Sequence, residues 1–186
     1  MTRTAKGDTV PLTMKHRSSV RLGVRALRGP LSGLLCLLAL ASCGNSSDSL
    51  SWDWSLVRND QGAGQIVASG TFTTSPAPDA EGFYAITSIA GRRLGVSITS
   101  LHPAGTAIPD NEAYPVDDRV RPPHPEGQLT KAGFGYGLAD GSFENPFLAT
   151  WELPAVVYLA FRSSPPFGAT PPNTDETTVV FHATIR

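Results

Sequence analysis

The chain has 186 residues, a formal net charge of −1 and two cysteines. The balanced total hides a split: the segment before the first long apolar run carries about +6 and everything after Cys43 about −7. An acidic domain without a basic stripe is not built for nucleic acid, and two cysteines are too few for a disulfide scaffold, so the folded part must be held together by packing.

Upstream of residue 34 lie Arg3, Lys6, Lys15, Arg17, Arg21, Arg25 and Arg28 against the lone acid Asp8. From Leu34 to Ala41 every residue is apolar. That run is too short to span a bilayer, which takes roughly 20 residues, and falls within the roughly 7–15 residues of a signal-peptide core. A buried core helix is the alternative, but the run follows Gly29-Pro-Leu-Ser-Gly33 and shows no amphipathic period. The run ends in Leu40-Ala41-Ser42-Cys43. This tetrad resembles the lipobox of bacterial lipoprotein signal peptides, which implies removal of residues 1–42 and acylation of the Cys43 sulfur by a long-chain group such as palmitate. Cys36 would leave with the signal peptide, so no disulfide is expected in the mature chain. Met14-Lys-His-Arg17 would itself begin a good signal peptide, which makes Met14 an alternative start.

Residues 43–50 read as a lipidated flexible tether, because Gly44-Asn-Ser-Ser-Asp-Ser-Leu50 has a flexible-coil composition. A single all-β domain is expected over residues 51–186. "SWDWSLV" alternates Trp52, Trp54 and Leu56 with Asp53, Ser55 and Val57, the period of two of a strand with one buried face. A turn over Asn59–Gly64 leads to "QIVASGTFTTS", and a Pro-rich loop, Ser75–Gly82, leads to "FYAITSIA" and "LGVSITSL", a hairpin expected to turn through Gly91-Arg-Arg93. Pro103–Gly127 reads as a long irregular segment. The strand-like stretches "LTKAGFGYGLA", "FENPFLATWEL" and "AVVYLAFRS" follow, then a Pro-rich loop and "TTVVFHATI". No stretch shows helical periodicity with capping signals. About eight antiparallel strands are expected, with a small closed barrel favoured over a two-sheet sandwich. Alternating Gly133, Gly135 and Gly137 favour the barrel, since such glycines permit sharp coiling or the close approach of another segment. "TTVVFHATI" is placed against the first strand, closing the sheet.

The block "GFYAITSIAGRRLGVSITSLHPAGTAIPDNEAYPVDD" together with "GFGYGLADGSFENPF" resembles a small exported bacterial β-domain family, some members of which end in a sorting segment of the PEP-CTERM type. The matching positions include Gly82-Phe83-Tyr84, Gly91, Gly95, Pro103, Gly105-Thr106, Ile108-Pro109, Asn111-Glu112, Gly133-Phe134-Gly135-Tyr136, Asp140-Gly141 and Asn145-Pro146-Phe147. The family has no established activity, so the resemblance implies a fold and an envelope setting and transfers no catalytic residue. This chain ends at Arg186 without the hydrophobic tail of the sorted members, and lipid on Cys43 is expected to anchor it instead.

Asp110, Glu112, Asp117 and Asp118 crowd into nine residues and offer the oxygen ligands that Ca²⁺ takes, but their spacing matches no EF-hand and a solvated loop is favoured. His102, His124 and His182 are scattered, with no spacing that requires a zinc site. No Gly-x-Ser-x-Gly elbow is present, and Gly133-Phe-Gly-Tyr-Gly137 lacks the helix and lysine of a phosphate loop. No cofactor or metal is implied. The aromatics read mainly as core, with Trp52, Trp54 and Trp151 as candidates for lining a pocket at one barrel end.

The expected function is a lipid-anchored, non-enzymatic domain of the cell envelope, facing the periplasm or exterior, that binds a protein partner or small ligand. The runner-up is an envelope hydrolase with a loop-assembled site drawn from Asp110, Glu112, Asp117 and His124. The anchor is directly testable: Cys43→Ser should release the protein from the membrane fraction or leave an unprocessed precursor. A variant that still fractionates with membranes as a processed, acylated protein would rule out the lipobox.

Overall fold

The computed structural model describes residues 48–58 and 64–186. The segment expected to be a signal peptide, Cys43 and residues 59–63, where the first turn is expected, lie outside the described residues. The described residues form nine strands: β1 (Leu50–Arg58), β2 (Gln65–Thr74), β3 (Tyr84–Arg93), β4 (Val96–Leu101), β5 (Arg119–Val120), β6 (Tyr136–Leu138), β7 (Phe143–Leu148), β8 (Tyr158–Ser163) and β9 (Thr174–Ile185). Among the described residues the only helical element is a 3-10 turn, Thr150–Glu152. Every strand but β5 joins one antiparallel meander, which closes because β1 pairs with both β2 and β9 and β2 also pairs with β3. The fold is an eight-stranded antiparallel barrel with β5 as an extra strand beside β3.

Alternation built the walls as the sequence led one to expect. Trp52, Trp54 and Leu56 are buried, as are Val179, Phe181 and Ala183 facing them from β9, while Val180 and His182 point outward. The interior is filled by side chains. Rings touch in series from Tyr158 through Phe181 and Phe134 to Trp54, then Phe72 and Trp52, with centroids 5.6–6.2 Å apart. Such tilted and edge-on pairs add to what burial alone supplies. The outward positions Asp53, Ser55, His182 and Thr184 are polar, unlike the apolar outer band of a membrane-spanning barrel.

Several boundaries differ from the sequence expectation. The β3–β4 hairpin does not turn at Gly91-Arg-Arg93; β3 runs through Arg93, and the turn is Leu94-Gly95, with φ of 44° and 88°. Positive φ at both residues is the twist-matched two-residue hairpin turn. Gly91 serves another purpose: it lies opposite Gly70, and a Cβ on Gly70 would sit 2.0 Å from the Ala90 carbonyl oxygen. The two glycines let β2 and β3 approach closely where the sheet coils into a barrel. "LTKAGFGYGLA" supplies only the short β6, and "FENPFLATWEL" leaves the sheet after Leu148. The segment expected to be irregular contains β5.

That segment and the residues after it, through Ala132, form a strap packed against the barrel. Its own Ile108 and Val116 are fully buried, and a Cβ on Gly135 would sit 2.8 Å from the His102 Cβ and 3.3 Å from a Val116 methyl. Gly133 accepts the backbone N–H groups of both Asp117 and Asp118, at 3.1 and 3.0 Å. Further along, Gln128 enters the wall. β8 pairs only with the first half of β9, and beyond the start of β8 at Tyr158 the Gln128 side chain takes the place of a strand, donating to the Ala183 carbonyl at 2.8 Å and accepting from the Ala183 N–H at 3.2 Å.

Trp54 is 3% exposed and touches Phe72, Phe134 and Tyr136, so Trp54→Ala should cost about 3–5 kcal/mol, measured by denaturant unfolding. A chain ending at Glu176 loses all pairing to β1 and should unfold or aggregate. If it stayed soluble and melted cooperatively at the original temperature, closure by β9 would not be what holds the fold.

Candidate functional site

The strands run up and down, so their connections divide between two barrel ends. The tight turns β3–β4 and β6–β7 and the β8–β9 loop lie at one end; the start of β1, the β2–β3 loop, the strap's crossings and the β7–β8 loop lie at the other. At this second end a cleft of about 910 Å³ opens on the side of the barrel. One wall is the β2–β3 loop with Glu81 and Phe83, a second is β5 and its flanks with Asp117, Arg119 and Arg121, a third is His124 to Ala132, and the last is Leu148, Thr150 and Leu153.

Period-two alternation places Arg119 and Arg121 on one face of β5 while Val120 is buried on the other. Both guanidiniums lie over the Phe83 ring, 4.8 and 4.5 Å from its centroid, a favourable placement of cation on an aromatic face. Arg119 is neutralised: it donates to Asp79 and, at 2.8 Å, to Glu81. Arg121 donates its Nε–H to the Gly127 carbonyl at 2.7 Å and meets the exposed Glu126 at 3.6 Å. Lys131 makes no hydrogen bond or ion pair within the described residues, which leaves its ammonium available. The floor is apolar, with Leu129 fully buried and Phe83 nearly so.

The acid run does not act as a unit. Asp110 and Glu112 lie outside the cleft: Asp110, at φ 62°, accepts the Gly168 N–H at 2.7 Å, while Glu112 accepts the Asp110 N–H at 3.0 Å. Asp117 faces the cleft and accepts from the Thr130 hydroxyl at 2.8 Å; burial pushes its pKa up, against the pull of that hydrogen bond and of Arg119. Asp118 is 3% exposed, accepts the Gly135 N–H at 3.3 Å, and is pushed up to about 7, first by burial and further by the charge of Asp117. Among the described residues no group of three or more His, Cys, Asp or Glu is arranged to hold a metal ion.

The histidines are apart. His124 lines the cleft and accepts the Glu126 N–H at 3.2 Å, His102 shares a hydrogen bond with the Ala107 carbonyl at 2.9 Å, and His182 stands on the outer face, paired with Ser55 across β1 and β9. The tryptophans are not brought together either. Trp52 and Trp54 are in the packed interior, where the Trp52 Nε1–H donates to Thr74 at 2.9 Å, while Trp151 is 66% exposed on the 3-10 turn.

The sequence reading missed the Arg119-Val120-Arg121 alternation, the one available signal for the cleft. It also missed the buried cluster at the opposite end, where Glu144, 1% exposed, accepts from Arg93 at 2.7 Å and from the Tyr136 hydroxyl. Burial, reinforced by the Glu144 charge, drives the Tyr136 phenol well above its usual range.

Comparisons with protein-family models, with curated proteins and with solved structures gave no match to this chain, leaving the geometry to carry the functional reading.

Asp118 makes the fold pH-sensitive. Its carboxyl ionises near 3.8 when unfolded and near 7 when folded, so between these values the folded state holds the extra proton and stability falls as pH rises. At about 1.36 kcal/mol per unit the loss is of order 4 kcal/mol. Asp118→Asn, whose amide does not ionise and which tolerates the positive φ of 52°, should narrow the difference in melting temperature between pH 5 and pH 8. An unchanged difference would remove Asp118 as its source.

Proposed function

We propose that the protein is a lipid-anchored, non-enzymatic domain of the bacterial cell envelope whose lateral cleft binds a small ligand or a short segment of a partner. The cleft is the observation that carries this reading. The barrel interior is occupied by its own aromatic side chains, so a ligand is accommodated outside it, where an apolar floor is ringed by the Arg121, Lys131, His124, Thr130 and Thr150 side chains. A largely apolar concavity with a few convergent polar groups is the usual form of a binding site. The lipobox at Cys43 supports the envelope setting.

Screening the membrane-purified protein by thermal shift and native mass spectrometry, against saccharides, peptides and carboxylates, tests the reading. A ligand at about a hundred times its dissociation constant should stabilise by about 2.7 kcal/mol. That gain should be lost in Lys131→Glu and in Thr150→Trp, which changes the charge of the rim or fills the cleft. Binding that survives both substitutions would place the site elsewhere.

One observation favours the runner-up: Asp117 and His124, both named for the hydrolase, line the same cleft. Hydrolysis of ester or glycoside substrates that is lost in both His124→Ala and Asp117→Asn would replace the binding reading.

A further inference from the structure

The β7–β8 loop exposes three large apolar side chains within six residues: Trp151 at 66%, Leu153 at 46% and Val156 at 38%. The Trp151 ring packs at 6.1 Å from the Phe147 ring, and the loop is shaped by the 3-10 turn and by the backbone bonds from the Glu152 and Ala155 N–H groups to the Ala149 and Glu152 carbonyls, both at 3.0 Å. Solvent gains nothing from such a grouping. Aromatic and aliphatic side chains clustered in this way mark a contact surface.

Two further features indicate what the loop meets. The meander puts it at the barrel end where β1 starts, and only six residues separate Leu50 from Cys43. The chain from Cys43 to Leu50 can therefore reach at most roughly 25 Å. Thr150 and Leu153 also border the cleft that Lys131 lines; the Lys131 ammonium has no partner among the described residues, and Glu152 is the loop's own single acid. Tryptophan settles at the headgroup level of a bilayer, and a neighbouring lysine suits the phosphate layer.

We infer that the β7–β8 loop is a second membrane contact, with Trp151, Leu153 and Val156 seated in the interfacial layer of the bilayer that carries the lipid anchor. The inference rests on the anchor proposed at Cys43. A lipid anchor alone is a single point of attachment, whereas a second contact at the same end fixes the orientation of the barrel. The tether holds the loop near the bilayer at high effective concentration, so a weak intrinsic affinity suffices. The consequence is that the cleft lies close to the membrane plane and the opposite end, with its tight hairpin turns, faces away.

The chain carries its own probe, because Trp52 and Trp54 are buried and Trp151 is exposed. The protein should be purified as the cell makes it and reconstituted into vesicles of phosphatidylethanolamine and phosphatidylglycerol containing brominated lipids. Trp151 emission should shift to the blue and be quenched by bromines near the glycerol level. Trp151→Phe should abolish the quenching, and Leu153→Ser with Lys131→Glu should weaken it. Trp151 emission that stays red and open to aqueous iodide, in protein that floats with the vesicles, would overturn the loop contact and leave the anchor standing. Protein that fails to float would count against the anchor, and quenching that persists in Cys43→Ser bound to the same vesicles would support the loop contact without it.

Discussion

Everything in this fold depends on β9 serving two neighbours. Its first half pairs with β8 and its second half with β1, with Val179 the residue at which the partner changes. That offset is the shear that a barrel requires, and it explains why a twelve-residue strand closes a sheet whose other strands are shorter. Closure removes the exposed edges that a meander otherwise presents to other chains. It also encloses a space narrow enough for side chains to fill, and the interior rings from Trp52 to Tyr158 occupy it.

The change of partner leaves β9 without β8 beside its second half. The strap resolves this by inserting Gln128, whose amide satisfies both backbone groups of Ala183 as a strand would. A buried backbone group without a partner would be costly, so the strap is part of the wall. Its path is set by glycines: Gly133 receives two N–H groups from Asp117 and Asp118, and Gly135 leaves room for His102, Ile108 and Val116. Asp118 is drawn into this seam with a backbone φ of 52° and a carboxyl whose pKa burial pushes up to about 7. The same run of chain delivers Arg119 and Arg121 to Phe83 and so shapes the cleft. Fold closure and the cleft are therefore built by one segment.

Charge is treated differently at the two ends. At the turn end, Glu144 is buried with Arg93 and Tyr136, and such a group survives burial only because its partners are fixed around it. At the cleft end, the pairs of Arg119 and Arg121 with Glu81 and Glu126 are exposed on their acidic side, which makes them weak and replaceable by a ligand. This contrast is why the cleft, and not the buried cluster, suits recognition.

The sequence by itself determined the strands and their inner faces, because alternation in "SWDWSLV" and "TTVVFHATI" is a local record of which side is dry; it determined the all-β class, and it favoured closure through the last strand. It carried the lipobox pattern as well, which is a feature of chain order and needs no fold. It misplaced the β3–β4 turn, since Gly91 looked like a turn residue when its role is to let β2 approach, a relation across strands that spacing along the chain does not encode. Only the tertiary structure decided what the strap does. The acids from Asp110 to Asp118 form a compact group in sequence, yet one bonds Gly168, one faces the cleft and one is buried against Gly135. The cleft joins residues from four separate segments. Residues that meet only when the chain has closed on itself share no pattern along it, and for that reason the walls were legible and the site was not.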